Sequence, residues 1–352
     1  MTNRTGLAAA ALALGALLAS CSAAPPSAPL PSGADAPRAV AEGLEAPWSV
    51  AFADGVPLVS ERDSGRILEL AEDGTTRVIG VVDDVVAEGE SGLLGLAAAG
   101  GVLIAYSTGP DGNRLQRFDL TGSAGSLGLG PARTILDRIP AARTHDGGRI
   151  AIGPDGLLYA TVGDAGRREA AQDPESLSGK ILRMTLDGEA PADNPTPGSL
   201  VYSLGHRNPQ GLAWSADGTL FASEFGQDTW DELNIIEPGA NYGWPVVEGA
   251  AGEEGFADPV QQWTPDEASP SGMAVVDEVL YLANLRGEVL RAVPVADPST
   301  STDYVRGEYG RLRDAVAAPS GDLWFVTSNT GGRGSPGNAD DRILSVPPPR
   351  AD

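Results

Sequence analysis

The chain has few of the residues on which much protein chemistry depends. It contains one cysteine, Cys21, which excludes an internal disulfide, a cysteine-based zinc centre and a dithiol redox pair. Its 24 basic side chains are outnumbered by 48 acidic ones, a net charge of -24. That balance argues against general affinity for nucleic acid or an anionic membrane, because phosphate binding needs clustered Lys and Arg. No amphipathic helical pattern of any length is present. What the chain does have is 352 residues, 41% of them hydrophobic, with 46 glycines and 28 prolines. That is enough apolar material for a sizeable core, in a turn-rich chain that favours many short strands.

One apolar run, Leu7 to Leu18, follows Arg4 and precedes Leu18-Ala19-Ser20-Cys21. It is too short to span a bilayer comfortably, and its flanks match a secretory leader. Small residues before a lone cysteine resemble a bacterial lipobox, so residues 1–20 are expected to be a lipoprotein signal and Cys21 the lipidated residue. Residues 21–45, rich in Ala, Pro and Ser, then read as a tether. The expectation is an exported protein anchored on the extracytoplasmic face of the cell membrane.

From residue 46 to 349 one pattern recurs: an apolar stretch, a Gly or Asp-Gly turn, a second apolar stretch, a polar gap and a third stretch. Units open near Val50, Leu96, Ile150, Leu212, Met273 and Ala315. The Asp-Gly and Gly-Gly pairs are hairpin signals, because primed turns need positive φ. Six units of this spacing predict an all-β fold, a six-bladed β-propeller, over a lectin-like sandwich.

Both histidines lie in polar strings. His145 stands in Thr144-His145-Asp146-Gly147-Gly148-Arg149 and Asp164 in Val162-Gly163-Asp164. These loops flank one hairpin on the same side, so the carboxylate can meet the imidazole, fix its tautomer and raise its basicity. The alternative is a loop histidine that satisfies backbone groups. Arg207 and Asn208, in the string around His206, can present a charge and an amide to an oxygen-rich ligand, or form a surface turn. Arg286, Arg311 and Arg313 occupy corresponding loop ends. If convergent they make an anion pocket for a compact, multiply charged ligand; otherwise they pair on the surface. Carboxylates and Gly-rich loops around Ser223–Asp228 and Asp231–Asn234 suit Ca²⁺ better than zinc, without an EF-hand pattern.

Together these strings resemble the soluble glucose/sorbosone dehydrogenase family, the quinoprotein aldose sugar dehydrogenases. The resemblance rests on HDGGRIAIGPDGLLYATVGD from His145, SLSGKILRMTLDG from Ser176 and YSLGHRNPQGLAW from Tyr202. DELNIIEPGANYGWP from Asp231 and ASPSGM from Ala268 add to it. It implies a six-bladed propeller binding pyrroloquinoline quinone (PQQ), a tricarboxylate, together with Ca²⁺. His145 matches the family's base for the C1 hydroxyl of an aldose, Asp164 its supporting carboxylate, and Arg207 the group facing the quinone oxygen. Glu90, Asn208, Phe225, Arg286, Arg311 and Arg313 fall at or beside cofactor positions. Gly226 and Gln227 match backbone-carbonyl ligands of the cofactor Ca²⁺, and Glu232 and Tyr242 part of a second Ca²⁺ site. Electrons would pass to an acceptor that the sequence does not name.

Three features depart from the family pattern. Glu90 stands where glucose-specific members have Gln, and its charge near an anionic cofactor weakens binding unless paired. Phe225 and Gln227 flank Gly226 where a polar residue and Pro are common. The loops are shorter, which implies an open site and a broad substrate range. The alternatives are a lipid-anchored propeller that binds without catalysis, and a Ca²⁺-dependent lactonase, which needs carboxylates on the axis.

Overall fold

The computed structural model describes residues 1–2 and 36–350. Nearly all of the leader, the Cys21 lipidation and most of the tether therefore lie outside the described residues. Regular structure among the described residues is strand throughout, except for a single 3-10 turn at Arg168–Gln172. Six antiparallel sheets follow one another along the chain, with strands within 47–81, 93–139, 150–204, 209–263, 270–304 and 312–346. Each matches one of the six sequence units. The first strand of every sheet lies innermost, and these strands touch their neighbours round a closed ring. The architecture is a six-bladed β-propeller.

Ring closure revises the tether boundary. Arg38–Ala41 is a strand, paired antiparallel with Ile343–Val346 as the outermost strand of the last blade. Leu44 is buried as well. Joining the two ends of the propeller segment in one sheet ties the ring shut and covers an edge otherwise left open. Four residues are too few for alternation to reveal such a strand.

The core is a ring of six apolar clusters, one in each cleft between neighbouring blades. A middle strand is therefore covered on both faces. Val102–Gly109 is buried at every position, which explains why such strands read as unbroken apolar runs without alternation.

Several innermost strands carry a register shift near their first residues: Pro47/Ser49, Pro209/Gly211, Pro270/Met273 and Leu312/Asp314. The residues passed over include Trp48, Gln210, Ser271 and Arg313. A bulge re-aims a side chain, and here the bulged residues meet. Arg313 donates to Gln210 and to Ser271, each at 3.3 Å, and lies 5.6 Å from the Trp48 ring centroid. Proline opens three of these strands, where a missing N–H costs no ladder bond. Beneath this layer Arg149 and Asp314 form an ion pair at 3.0 Å, with side chains 6% and 3% exposed. Arg149 also lies 4.2 Å from the centroid of Trp48. A Cβ on Gly272 would come within 1.8 Å of Asp314 Oδ1, so this approach demands glycine. The ion pair belongs to the hollow at one end of the axis, while Arg313, Trp48 and Gln210 belong to the cavity at the other.

Candidate active site

The cavity encloses ≈ 220 Å³ on the axis, at the end of the propeller where the loop before each blade's first strand meets the loop after its second. His145 and Asp164 flank one such hairpin, and the structure brings them together: His145 Nδ1 lies 2.7 Å from Asp164 Oδ1. The Asp164 side chain is 0% exposed, that of His145 19%. Asp164 Oδ1 also accepts the Gly166 N–H at 2.7 Å, and Oδ2 accepts the indole N–H of Trp244 at 2.9 Å. Burial pushes the Asp164 carboxyl upward, but the His145 hydrogen bond and charge, with these two donors, outweigh it and hold it below its ordinary value. With Nδ1 committed as donor to a carboxylate, Nε2 is left as the basic atom on the cavity side.

A pH dependence of stability follows. The folded pKa of Asp164 lies below the ordinary 3.8, so its contribution is fully present above that pH and is lost as pH falls through the folded value. Asp164→Asn is expected to be less stable than wild type at neutral pH, with the gap closing in acid below about pH 4. Urea melts of both proteins at neutral pH and in acid check this; a constant gap would refute it.

His145 sits at φ 64, a left-handed conformation that costs a non-glycine residue roughly 1–3 kcal/mol. Glu90 supports it. Glu90 Oε2 accepts the His145 backbone N–H at 2.8 Å and the Asn208 amide at 3.3 Å, and Oε1 lies 3.7 Å from Arg333. The charge at this departure from the family pattern is therefore paired within the protein. Asn208 is fully buried behind the cavity wall, where its Oδ1 accepts from Gly147 N at 3.0 Å and Gln210 at 3.1 Å. It braces the wall from behind and does not line the cavity.

Arginines dominate the wall. Arg62, Arg207, Arg286, Arg311, Arg313 and Arg333 line the cavity, against the carboxyl groups of Glu90, Asp146 and Asp231. Burial, then the neighbouring charges of Arg62, Arg311 and Arg149, push Arg313 down to about 9. Burial likewise lowers Arg311, with Arg333 and Arg286 adding to it. Neither forms an ion pair among the described residues. The Nε atoms of Arg207 and Arg313 are buried without a hydrogen-bond partner among the described residues. Arg286 is different: it stands on the rim, 59% exposed, 2.5 Å from Asp266, so its charge is already half spent. Arg62, Arg333, Trp48 and Gln210 went unnoticed in the sequence. Trp48 and Arg62 come from the first blade, Gln210 from the fourth and Arg333 from the last, and they carry no shared motif.

The proposed metal loop lies in the same cavity. Phe225, Gly226, Gln227 and Asp231 line it, and burial pushes the Asp231 carboxyl up to about 6. No hydrogen bond among the described residues ends on the carbonyl of Gly226 or Gln227, whereas Arg207 Nη1 donates to that of Phe225 at 3.2 Å. Glu232 and Tyr242 share a smaller hollow with Glu224 and Glu248. Glu232 accepts from Gly249 N at 2.8 Å and Asn234 at 3.0 Å. Burial and the nearby Glu224 push its carboxyl up to about 8. The Tyr242 hydroxyl donates to the Ile235 carbonyl at 2.6 Å, and its ring stacks on His206 at 4.7 Å. His206 itself is 0% exposed, held between Ser203 and Glu224 at 2.8 Å each. The second carboxylate oxygen of Glu224 receives the backbone N–H of both Arg207 and Asn208. The buried histidine thus supports the loop that carries Arg207, and no substrate reaches it. Among the described residues, no group of three or more His, Cys, Asp or Glu side chains is arranged to hold a metal.

Comparison with known proteins places this geometry. Residues 44–335 match the sequence model of the Glucose / Sorbosone dehydrogenase family. The chain is 35% identical over 239 residues to quinoprotein glucose dehydrogenase B of Acinetobacter calcoaceticus, covering 56% of this chain and 50% of that one. It thus spans half the length of that relative. It is 29% identical over 332 residues to the aldose sugar dehydrogenase YliI of Escherichia coli, covering 82% and 89%. The structure of the PQQ-bound aldose sugar dehydrogenase of Streptomyces coelicolor superposes with a TM-score of 0.84 at 48% identity, covering 88% of this chain and 96% of that one. The chain belongs to the glucose/sorbosone dehydrogenase family.

Proposed function

We propose that the chain is a quinoprotein oxidoreductase that oxidises aldose sugars at C1, with PQQ and Ca²⁺ held in the axial cavity. The relatives named above are PQQ-linked or aldose sugar dehydrogenases, and family membership supports the same class here. The observation that carries the reading is the His145–Asp164 pair opening onto a cavity walled by guanidinium groups.

The residues present fit such a cofactor. A tricarboxylate supplies acceptors for Arg311 and Arg313 and for the unpartnered Nε atoms of Arg207 and Arg313, and charge-assisted bonds of this kind are the strong ones. The unbonded Gly226 and Gln227 carbonyls suit a hard cation. When bound, PQQ supplies the two-electron acceptor for the hydride of sugar C1. The chain supplies the rest. His145 Nε2 takes the C1 hydroxyl proton, and Asp164 steadies the resulting imidazolium through Nδ1–H at 2.7 Å. Arg207 directs positive charge into the same space, backed by the Trp244 ring 5.4 Å away.

Internal pairing of Glu90 removes the main argument for a propeller that binds without catalysis. The arginine-rich wall suits a lactonase poorly. The same proposal puts the protein outside the cell membrane, held by lipid on Cys21, on the strength of its leader alone; electrons pass to a separate acceptor.

The test is reconstitution. Apoprotein titrated with PQQ in Ca²⁺ should show saturable tryptophan quenching, then reduce a redox dye when an aldose is added. Quenching without turnover would favour the binding module. Lactone hydrolysis without quinone would favour the lactonase, and neither binding nor turnover would end the quinoprotein reading.

A further inference from the structure

We propose that Glu248 is a positioning residue that holds the Gly226 and Gln227 carbonyls toward the cavity as cation ligands. The inference rests on the Ca²⁺ reading above and assigns the device that shapes its loop.

Glu248 Oε1 accepts four consecutive backbone N–H groups: Gln227 at 2.7 Å, Asp228 at 3.2 Å, Thr229 at 3.1 Å and Trp230 at 3.2 Å. Successive N–H groups turned to one point form an anion-binding concavity, and here the chain fills it with its own carboxylate. The peptide unit is planar and trans, so each N–H points opposite to the carbonyl of the preceding residue. Drawing the N–H groups of 227 and 228 onto Glu248 therefore turns the carbonyls of 226 and 227 away from it. Arg207 already occupies the carbonyl of Phe225, leaving these next two unbonded on the cavity wall.

Two further contacts close the loop. Asp231 Oδ1 accepts the Gly226 N–H at 2.9 Å, while Oδ2 accepts Ser269 N at 2.7 Å. A Cβ on Gly226 would lie 1.6 Å from the Trp230 carbonyl oxygen and 2.9 Å from Glu248 Oε1, so the turn admits only glycine. The loop thus has no proline at 227 yet keeps a defined shape, because one carboxylate replaces the stiffness a proline ring supplies. Without Glu248, four N–H groups lose their common acceptor and the two carbonyls lose their fixed direction.

The experiment measures two quantities on metal-stripped full-length protein, neither of them turnover. Hydrogen exchange reads the amides of 227–230, and calorimetric titration reads Ca²⁺ affinity. In Glu248→Ala those amides should exchange at least about tenfold faster, and Ca²⁺ affinity should fall about 10–100-fold, as removal of a ligand-orienting partner does. Glu248→Gln keeps an acceptor oxygen without the charge and should show a smaller loss in both. Should the alanine variant fail to fold, the glutamine variant read by the same measures decides. Unchanged exchange and affinity in a folded variant would overturn the inference alone. Faster exchange with unchanged affinity would overturn the carbonyls as ligands. Absence of Ca²⁺ binding by wild type would instead overturn the metal reading beneath it.

Discussion

His145→Ala is expected to slow aldose oxidation by the PQQ- and Ca²⁺-loaded protein by about 10²–10⁴-fold, the usual contribution of a positioned base. Cofactor affinity should stay nearly unchanged. The side chain is one-fifth exposed and makes a single strong bond, to Asp164 at 2.7 Å, so its loss leaves the arginine wall intact. The Asp164 carboxylate remains bonded to Gly166 N and Trp244 Nε1, which limits the damage to folding. The loss should fall on kcat and kcat/KM together, because proton removal is realised only in the transition state. Steady-state kinetics on the loaded variant, with PQQ binding followed by tryptophan quenching, separate the two effects. A variant that keeps its rate refutes His145 as the base; one that loses cofactor makes it a binding residue instead.

Asp314→Ala should destabilise the fold by about 3–5 kcal/mol, the range for removing one partner of a buried ion pair. Arg149 and Asp314 are almost fully buried. Burial pulls Arg149 down and pushes Asp314 up, each opposed by the other's charge. Asp314 also accepts the backbone N–H of Val50 at 3.2 Å and of Ala315 at 3.1 Å. Removing it strands a guanidinium beside Arg313, in a layer already rich in positive charge. The double variant Arg149→Met/Asp314→Asn removes both charges and should recover much of the loss. Urea unfolding of the three proteins tests this, and a single variant within about 1 kcal/mol of wild type would show that water reaches the pair.

How much could be read in advance depended on distance along the chain. The six blades were legible because each is built from neighbouring hairpins, whose Asp-Gly and Gly-Gly turns are local signals. The meeting of His145 with Asp164 was legible for the same reason, since a single hairpin, 150–162, separates them. Arg62 and Trp48 belong to the first blade and Arg333 to the last, at opposite ends of the propeller's sequence, and nothing local distinguishes their side chains from surface ones. Arg286 shows the converse: its loop position pointed inward, and only the rim contact with Asp266 reveals a charge already paired. Glu248 lies 21 residues from the first amide it binds, beyond the strings that suggested a metal loop, so the brace was not legible with the loop. The strand Arg38–Ala41 finds its partner near the opposite end of the chain, so no periodicity announces it.

Repeated apolar stretches, turn chemistry and motif order by themselves determined the fold class, the blade count and the nearest pair of chemical groups, because these arise between residues close in sequence. The tertiary structure alone decided which arginines face one another, which carboxylates are neutralised and where the chain seals. Those outcomes depend on closing a ring, which brings together the first residues of six separate strands and excludes water from the charges they carry.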